Sequence, residues 1–316
     1  MSNAPSNSSG GDSINEKIVG SLADDVNWKT WRRLAIEAQE RFHEALIANS
    51  PQFPGLVDYA VVELAREANG TPAWSWSAAA EIQETINSVN AWGTRLHDWA
   101  SWNQVVDSYE DEEQKWEVLH HFVEPLAFFC MLQPSSVSDR LMLVSETLLH
   151  QANCRVFSDY PDSLDQDDLK PWQGLRRSDR KKQVSRLGKS WKRFNKFRTA
   201  LDELNGIEYQ KLSRNFRDLS VHSFAPRFMT GQILRAPRAI VPWQEMVKQP
   251  CGGYLPIDHP NKKGVQYEMV ALEPFPLGLA CSTNFVEYEK TLAAMSEFSK
   301  LVGEMCARIN GLVRGK

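Results

Sequence analysis

The run Leu212 to Arg227, LSRNFRDLSVHSFAPR, holds the densest set of side chains able to do chemistry in this 316-residue chain. On a continuous helix Arg214, Asp218 and His222 fall at i, i+4 and i+8 and share one stripe, with Arg217 one position to the side. An Asp one turn before a His orients the imidazole and raises its pKa, which keeps it able to give or take a proton near neutrality. Two guanidinium groups beside it hold a phosphate and take up charge that develops in a phosphoryl-transfer transition state. These are the parts of a metal-independent ribonuclease, with His222 moving protons, Arg217 and Arg214 stabilising charge and Asp218 orienting His222. The plainer alternative is that His222 and Ser223 end a helix while Arg214 and Asp218 form a surface ion pair worth roughly a few tenths of a kcal/mol.

Immediately upstream, residues Lys170 to Arg198 carry 12 Lys or Arg against one acid, Asp179. The segment is formally +11 in a chain of net charge -4, which leaves -15 for the remainder. Charge this polarised attracts a polyanion to one face. Arg176, Arg177, Arg180, Lys181, Lys182, Lys189, Lys192, Arg193 and Lys196 are the candidate RNA-binding residues. Just before them, Asp159 to Asp168 holds five Asp. A solvated surface loop is the expectation there, the alternative being a loop that folds back and screens the basic segment.

Arg217-Asp218-Leu219-Ser220-Val221-His222 resembles the signature of the HEPN superfamily, an Arg followed by a polar residue and, after four to six intervening residues, a His at a helix end. The matching surroundings run roughly from Ser135 to Pro226. Arg214-Asn215 supplies the Arg-Asn pair common in that superfamily, but seven residues before His222, so the role falls to Arg217 with Arg214 as support. The resemblance implies an all-helical bundle and a homodimer that brings two Arg/His ends together. It also implies endoribonuclease activity by attack of the ribose 2′-OH, in a defence or toxin setting, with the question of an inhibitory protein partner left open. Non-catalytic members are common, so a helical module that only binds RNA or another polyanion, or a protein-interaction scaffold, stands beside the enzyme.

Other constellations carry less. His120-His121 and the pair His150 and Cys154 at i, i+4 are metal-ligand types, but no third ligand is in register along the sequence, so packing is expected and no metal or cofactor. Gly252-Gly253 lacks the strand, helix and Lys-Ser/Thr of a phosphate loop. The five Cys form no CxxC pair, which points to reduced thiols in the cytoplasm. The most apolar window, Phe122 to Leu132, is short and contains Pro125, so a buried helix and no membrane span is expected.

These residues need a scaffold, and apolar periodicity predicts a mainly α fold: a multi-helix bundle with a HEPN-like helical core and a small antiparallel β appendage. A disordered tail covers 1–13, an N-terminal helical region 14–133 and the HEPN-like region 134–228. Within these, helices are expected at Trp28 to Ala48, Leu56 to Ala68, Ala78 to Val106, Asp111 to Met131 and Ser135 to Gln151. One amphipathic helix from Val184 to Gly206 buries Leu187, Trp191, Phe194 and Leu201. A second from Ile207 buries Leu212, Phe216 and Leu219, stops before Ala225-Pro226 and closes a helical hairpin. Two or three short strands follow within 229–282, and a C-terminal helix over 283–316 keeps a three-four apolar spacing from Phe285 to Leu312 that either caps the core or pairs with another subunit. Trp74, Trp76, Trp92, Trp99, Trp102 and Trp116 lie in helical patterns with few cations nearby, so core packing is expected rather than base stacking.

Overall fold

The computed structural model describes residues 12–170 and 173–314, with side chains at 28–170 and 173–311. The expected tail therefore lies outside the described residues up to residue 11, and Asp12 already begins the first helix. The fold is mainly α with a small antiparallel β part. Two compact units divide it: Met1–Asp58 with Ile86–Cys130, and Tyr59–Thr85 with Met131–Lys316.

The first unit holds α1 (Asp12–Asn49), most of α3 (Pro72–Asp107), α4 (Glu112–Val118) and the start of α5 (Glu124–Val156). Its core is built on aromatic side chains, the Trp residues of α3 among them as expected. Ala38 and Phe42 of α1 are buried, as are Trp92, Trp99 and Trp102 of α3. Phe42 stacks on Trp102 at 4.6 Å and Trp102 on Phe122 at 4.4 Å. Between α4 and α5 the chain makes a π turn, Leu119–Val123, closed by the Glu124 N–H on the Leu119 carbonyl. Pro125 has no N–H to return to the preceding turn, and the wider π turn takes up that register change. Gly93 does not interrupt α3, nor does Pro134-Ser135 end α5. The lost bond at a helical Pro costs about 3 kcal/mol. Met131, Val137 and Leu141 beside it are almost fully buried, and such side chains recover about 1.5–3 kcal/mol each. Among the described residues no helix is long and apolar enough to cross a membrane.

The second unit holds α2 (Ala60–Glu67), the first turns of α3, α5 from Met131, α6 (Arg177–Gly188), α7 (Phe194–Glu203), α8 (Ile207–Leu212), α9 (Phe216–His222), four strands and α10 (Leu277–Arg314). Thr71 starts α3 by accepting the Trp74 N–H at 3.1 Å, and buried Trp74 donates its indole N–H to the Ala65 carbonyl at 3.0 Å. The apolar face of α10 caps this unit: Tyr288, Met295, Phe298, Val302, Met305 and Ile309 are buried, with contacts to α7, α2 and α8. Phe298 meets Phe197 of α7 at 5.6 Å. Two carboxylates of α10 hold the turns at either end of α7. Glu304 accepts the Lys192 and Arg193 N–H groups at 3.0 and 2.8 Å, and buried Glu287 accepts the Asn205 N–H at 2.9 Å. The two helices are therefore antiparallel.

The helix expected from Val184 to Gly206 is two helices. Leu187, Trp191, Phe194 and Leu201 are all buried as expected, but the backbone turns between Gly188 and Phe194. The turn persists because distant groups satisfy it: Asn153 donates to the Leu187 carbonyl at 3.0 Å and accepts the Trp191 indole N–H at 2.8 Å, while Glu304 takes the two N–H groups at the start of α7. The second helix of the expected hairpin is also broken. Arg214 and Asn215 take left-handed φ values of 51° and 55°. The Arg214 N–H returns to the Lys211 carbonyl and the Asn215 N–H to Gln210, which ends α8 as a Schellman motif with Arg in place of the usual Gly. In consequence Leu212 is 46% exposed instead of buried, while Phe216 is buried as expected.

The β part has four strands. β1 (Ile233–Arg235) pairs antiparallel with β4 (Val270–Leu272), and β2 (Arg238–Lys248) with β3 (Tyr254–Tyr267) in a ribbon whose register shifts between Pro242 and Gln244. Most ribbon side chains are exposed, Ile240, Met246, Leu255 and Tyr267 among them. Two of the expected core Trp residues are exposed as well, Trp76 at 82% and Trp116 at 47%. Trp116 stacks on His120 at 5.1 Å.

Gly188 leaves no room for a side chain, since a Cβ there would lie 2.2 Å from the ring of buried Phe194. Gly188→Ala is expected to destabilise the fold by about 1–3 kcal/mol, read as a lower urea midpoint at unchanged slope.

Candidate functional site

The four residues proposed for catalysis are not assembled on one stripe. Arg214 sits in the left-handed break and points away from α9: its guanidinium donates to the Glu273 carbonyl at 2.8 Å and lies over the Phe275 ring at 5.0 Å. It therefore anchors the chain as it leaves β4. Arg217 and Asp218 are brought together in an exposed ion pair at 2.9 Å. The hydrogen bond from Arg217 is the main cause that holds the Asp218 carboxyl below its usual range. No hydrogen bond links Asp218 to His222, which is exposed as the last residue of α9. The helix end is where the sequence put it; the Asp that was to orient the imidazole is engaged by Arg217.

Much of the basic segment is neutralised by acids, all but Asp179 from elsewhere in the fold. Arg177 pairs with Asp139 at 3.0 Å, Lys181 with Asp202 at 2.8 Å, Lys182 with Asp179 at 3.1 Å and Arg186 with Asp165 at 2.7 Å. Arg180 reaches Glu146 at 3.2 Å, a carboxylate only 3% exposed that also accepts from Gln183 at 2.6 Å. Of these pairs the Asp-rich loop supplies the one through Asp165, whose N–H also donates to Gln183 at 2.6 Å.

The candidate cations that carry no salt bridge among the described residues are Arg176, Lys189, Lys192, Arg193 and Lys196. Four of these five belong to the α6–α7 turn or the first turn of α7, and all are exposed. Beside them, Lys192, Arg193 and Ser190 share an open groove of about 880 Å³ with Lys300, Glu304, Ala307 and Arg308 of α10. Arg308 is held flat, 4.6 Å from the Trp191 ring centroid and 4.8 Å from that of Phe157, and donates to the Ser190 carbonyl at 3.2 Å. Lys300 pairs with Glu297 at 2.6 Å, and Lys196 and Arg193 lie close enough to help hold that carboxyl below its usual range, after the Lys300 hydrogen bond. Five cations, Lys192, Arg193, Lys196, Lys300 and Arg308, thus face two acids, Glu297 and Glu304. Lys300 and Arg308 were missed in the sequence, although with Glu304 they fall at i, i+4 and i+8 on the polar side of α10.

The histidines dismissed as metal ligands have acidic partners after all. His120 meets Glu124 at 3.0 Å and His121 meets Glu117 at 3.2 Å, each one turn away. His150 meets Asp162, which the loop after α5 carries back to it, at 2.9 Å. No protein-family model, curated protein or solved structure matches the chain.

The difference between a buried and an exposed ion pair of this segment has a direct check. Arg180→Ala leaves Glu146 short of a charged partner in a buried setting and is expected to cost about 1–3 kcal/mol, whereas Lys182→Ala, 78% exposed, is expected to change stability by about 0.5 kcal/mol or less. Thermal unfolding of the two variants measures the contrast.

Proposed function

We propose that the α6–α7 turn and the adjoining stripe of α10 form a non-catalytic binding site for single-stranded RNA. The observation that carries this reading is the excess of cations lining one open groove, Lys192, Arg193, Lys300 and Arg308 against Glu304, on a framework fixed by Glu304 and by Trp191 beneath Arg308. Phosphates bound there release counterions, so affinity is electrostatic, largely independent of sequence and steeply salt-dependent. The rigid turn holds Lys192 and Arg193 at fixed positions, which lowers the entropy lost on binding. The reading places the protein in the cytoplasm, where cysteines without CxxC pairing stay reduced.

The expected outcome is binding of a poly(U) oligonucleotide that weakens as salt rises. The triple variant Lys189→Glu, Lys192→Glu, Lys196→Glu is expected to flatten the slope of log K against log salt by about 2. Lys181→Ala with Lys182→Ala, both already paired to Asp residues, is expected to leave affinity nearly unchanged. Equal binding by the triple variant and wild type would remove the proposal.

A second reading is the HEPN-like endoribonuclease, favoured by the exposure of both Arg217 and His222 on α9. One imidazole per chain then calls for a homodimer in which two His222 side chains act as base and acid. Its expected result is cleavage of mixed RNA in excess EDTA to 2′,3′-cyclic phosphate ends by wild type and none by His222→Ala. Cleavage at equal rates by a folded His222→Ala protein would end this reading and leave the binding site untouched.

A further inference from the structure

Outside the cationic groove, one cluster gathers three side chains of metal-ligand type. His150 and Cys154 stand one turn apart on α5, and the chain reverses after α5 so that Asp162 returns to both. The ligand atoms all lie within 4.8 Å of one another. Cys154 Sγ is 3.9 Å from His150 Nε2 and 3.7 Å from Asp162 Oδ1, and His150 Nε2 is 2.9 Å from the same carboxylate oxygen. On the far side of the ring, His150 Nδ1 lies 2.8 Å from the Tyr160 hydroxyl.

We infer that His150, Cys154 and Asp162 form a zinc site with a fourth position open to water or another ligand. Zn–S, Zn–N and Zn–O bonds of about 2.3, 2.0 and 2.1 Å at tetrahedral angles separate the ligand atoms by about 3.3–3.6 Å. The two sulfur distances already approach that spacing. The His–Asp pair is closer because a proton now sits between the atoms, and Asp162, its side chain 83% exposed on a loop, is free to turn by the few tenths of an ångström required. A thiolate, an imidazole and a carboxylate are a mixed, borderline-soft set that suits Zn²⁺ and excludes Mg²⁺ or Ca²⁺, which take oxygen alone.

The protons balance. The Cys154 thiol gives its proton to solvent on binding. The Nε2 proton shared with Asp162 is lost from that nitrogen, and Nδ1 then carries the ring proton and donates it to the Tyr160 oxygen. Tyr160 is thereby a positioning residue that fixes the ring and its tautomer, in the place that a carboxylate, carbonyl or water usually takes behind a zinc-bound His. Partial burial, with the Asp162 charge beside it, raises the Cys154 pKa in the metal-free protein. A divalent cation removes that conflict between thiolate and carboxylate, so uptake strengthens with rising pH. Bound zinc would tie the loop that supplies Asp165 to Arg186, at the edge of the basic segment, down onto α5.

The test is a Co²⁺ titration of the full chain, freed of metal and of any histidine tag, followed by displacement with Zn²⁺ and metal counting by mass spectrometry. One ion per chain is expected, with a thiolate-to-cobalt charge-transfer band and tetrahedral d–d bands. Cys154→Ser is expected to abolish the charge-transfer band, while Cys251→Ser, at the exposed cysteine on the ribbon turn, leaves it in place. Tyr160→Phe is expected to weaken zinc by about 10- to 100-fold without changing stoichiometry. Asp162→Asn, at an exposed loop position that does not threaten folding, is expected to weaken binding more than that. Failure of the folded wild type to take up one ion, or an unchanged band in Cys154→Ser, or unchanged affinity in Asp162→Asn, would overturn the site.

Discussion

The second unit depends on the way α10 clamps α7. Glu304 and Glu287 lie 17 positions apart on one helix and accept backbone N–H groups at opposite ends of another, so each turn that bounds α7 is closed by a carboxylate far away in sequence. Hydrogen bonds from backbone N–H groups to ionised acceptors are stronger than neutral ones, and an N–H left unmet at a buried turn costs the full desolvation of that group. Phe197 and Phe298 fill the space between the two clamps. With the ends fixed, the short α7 is held along α10, and the α6–α7 turn can break the helix with the Lys192 and Arg193 N–H groups paired.

This framework also decides what the basic segment can do. A formal +11 along the sequence suggests a continuous cationic surface, but five of its side chains meet carboxylates contributed by α5, α6, α7 and the Asp-rich loop. Arg177 and Arg180 bind α6 to α5, and their charge serves the packing of those helices. The cations left unpaired concentrate where the chain turns, and there the carboxylate of Glu304 is taken up by the Lys192 and Arg193 backbone N–H groups instead of their side chains. Two further cations come from α10, which carries no conspicuous positive charge in its sequence.

Elements and buried faces were largely legible in the sequence. The helices α1 and α3, the apolar stripe of α10, the mainly α fold with a small β part and the helix end at His222 follow from spacing alone. What spacing could not show were features closed by partners distant in the chain. The break at Gly188 is stabilised by Asn153 and Glu304, the return of Asp162 to His150 needs the reversal after α5, and neither leaves a local signature. The left-handed pair Arg214-Asn215 misled for a different reason: only Asn signals such a conformation, and an Arg at the C′ position reads as ordinary helix. Trp76 and Trp116 show the limit of composition, since a large aromatic in a helical pattern fixes the element but not the face that is buried. The long β2–β3 ribbon was under-read because its mixed polar and apolar residues alternate against no core.

The 112-residue separation between Glu304 and the Lys192 N–H has a consequence for how the chain folds. α6, α7 and the turn between them are local structure and can form early, but the carboxylate that closes the turn belongs to an element synthesised much later. Closing so long a loop is entropically slow compared with local helix formation. During synthesis the cationic turn therefore emerges before the acid that shapes it, and a nascent chain passes through a stage in which its densest positive charge is exposed on a backbone not yet held in place.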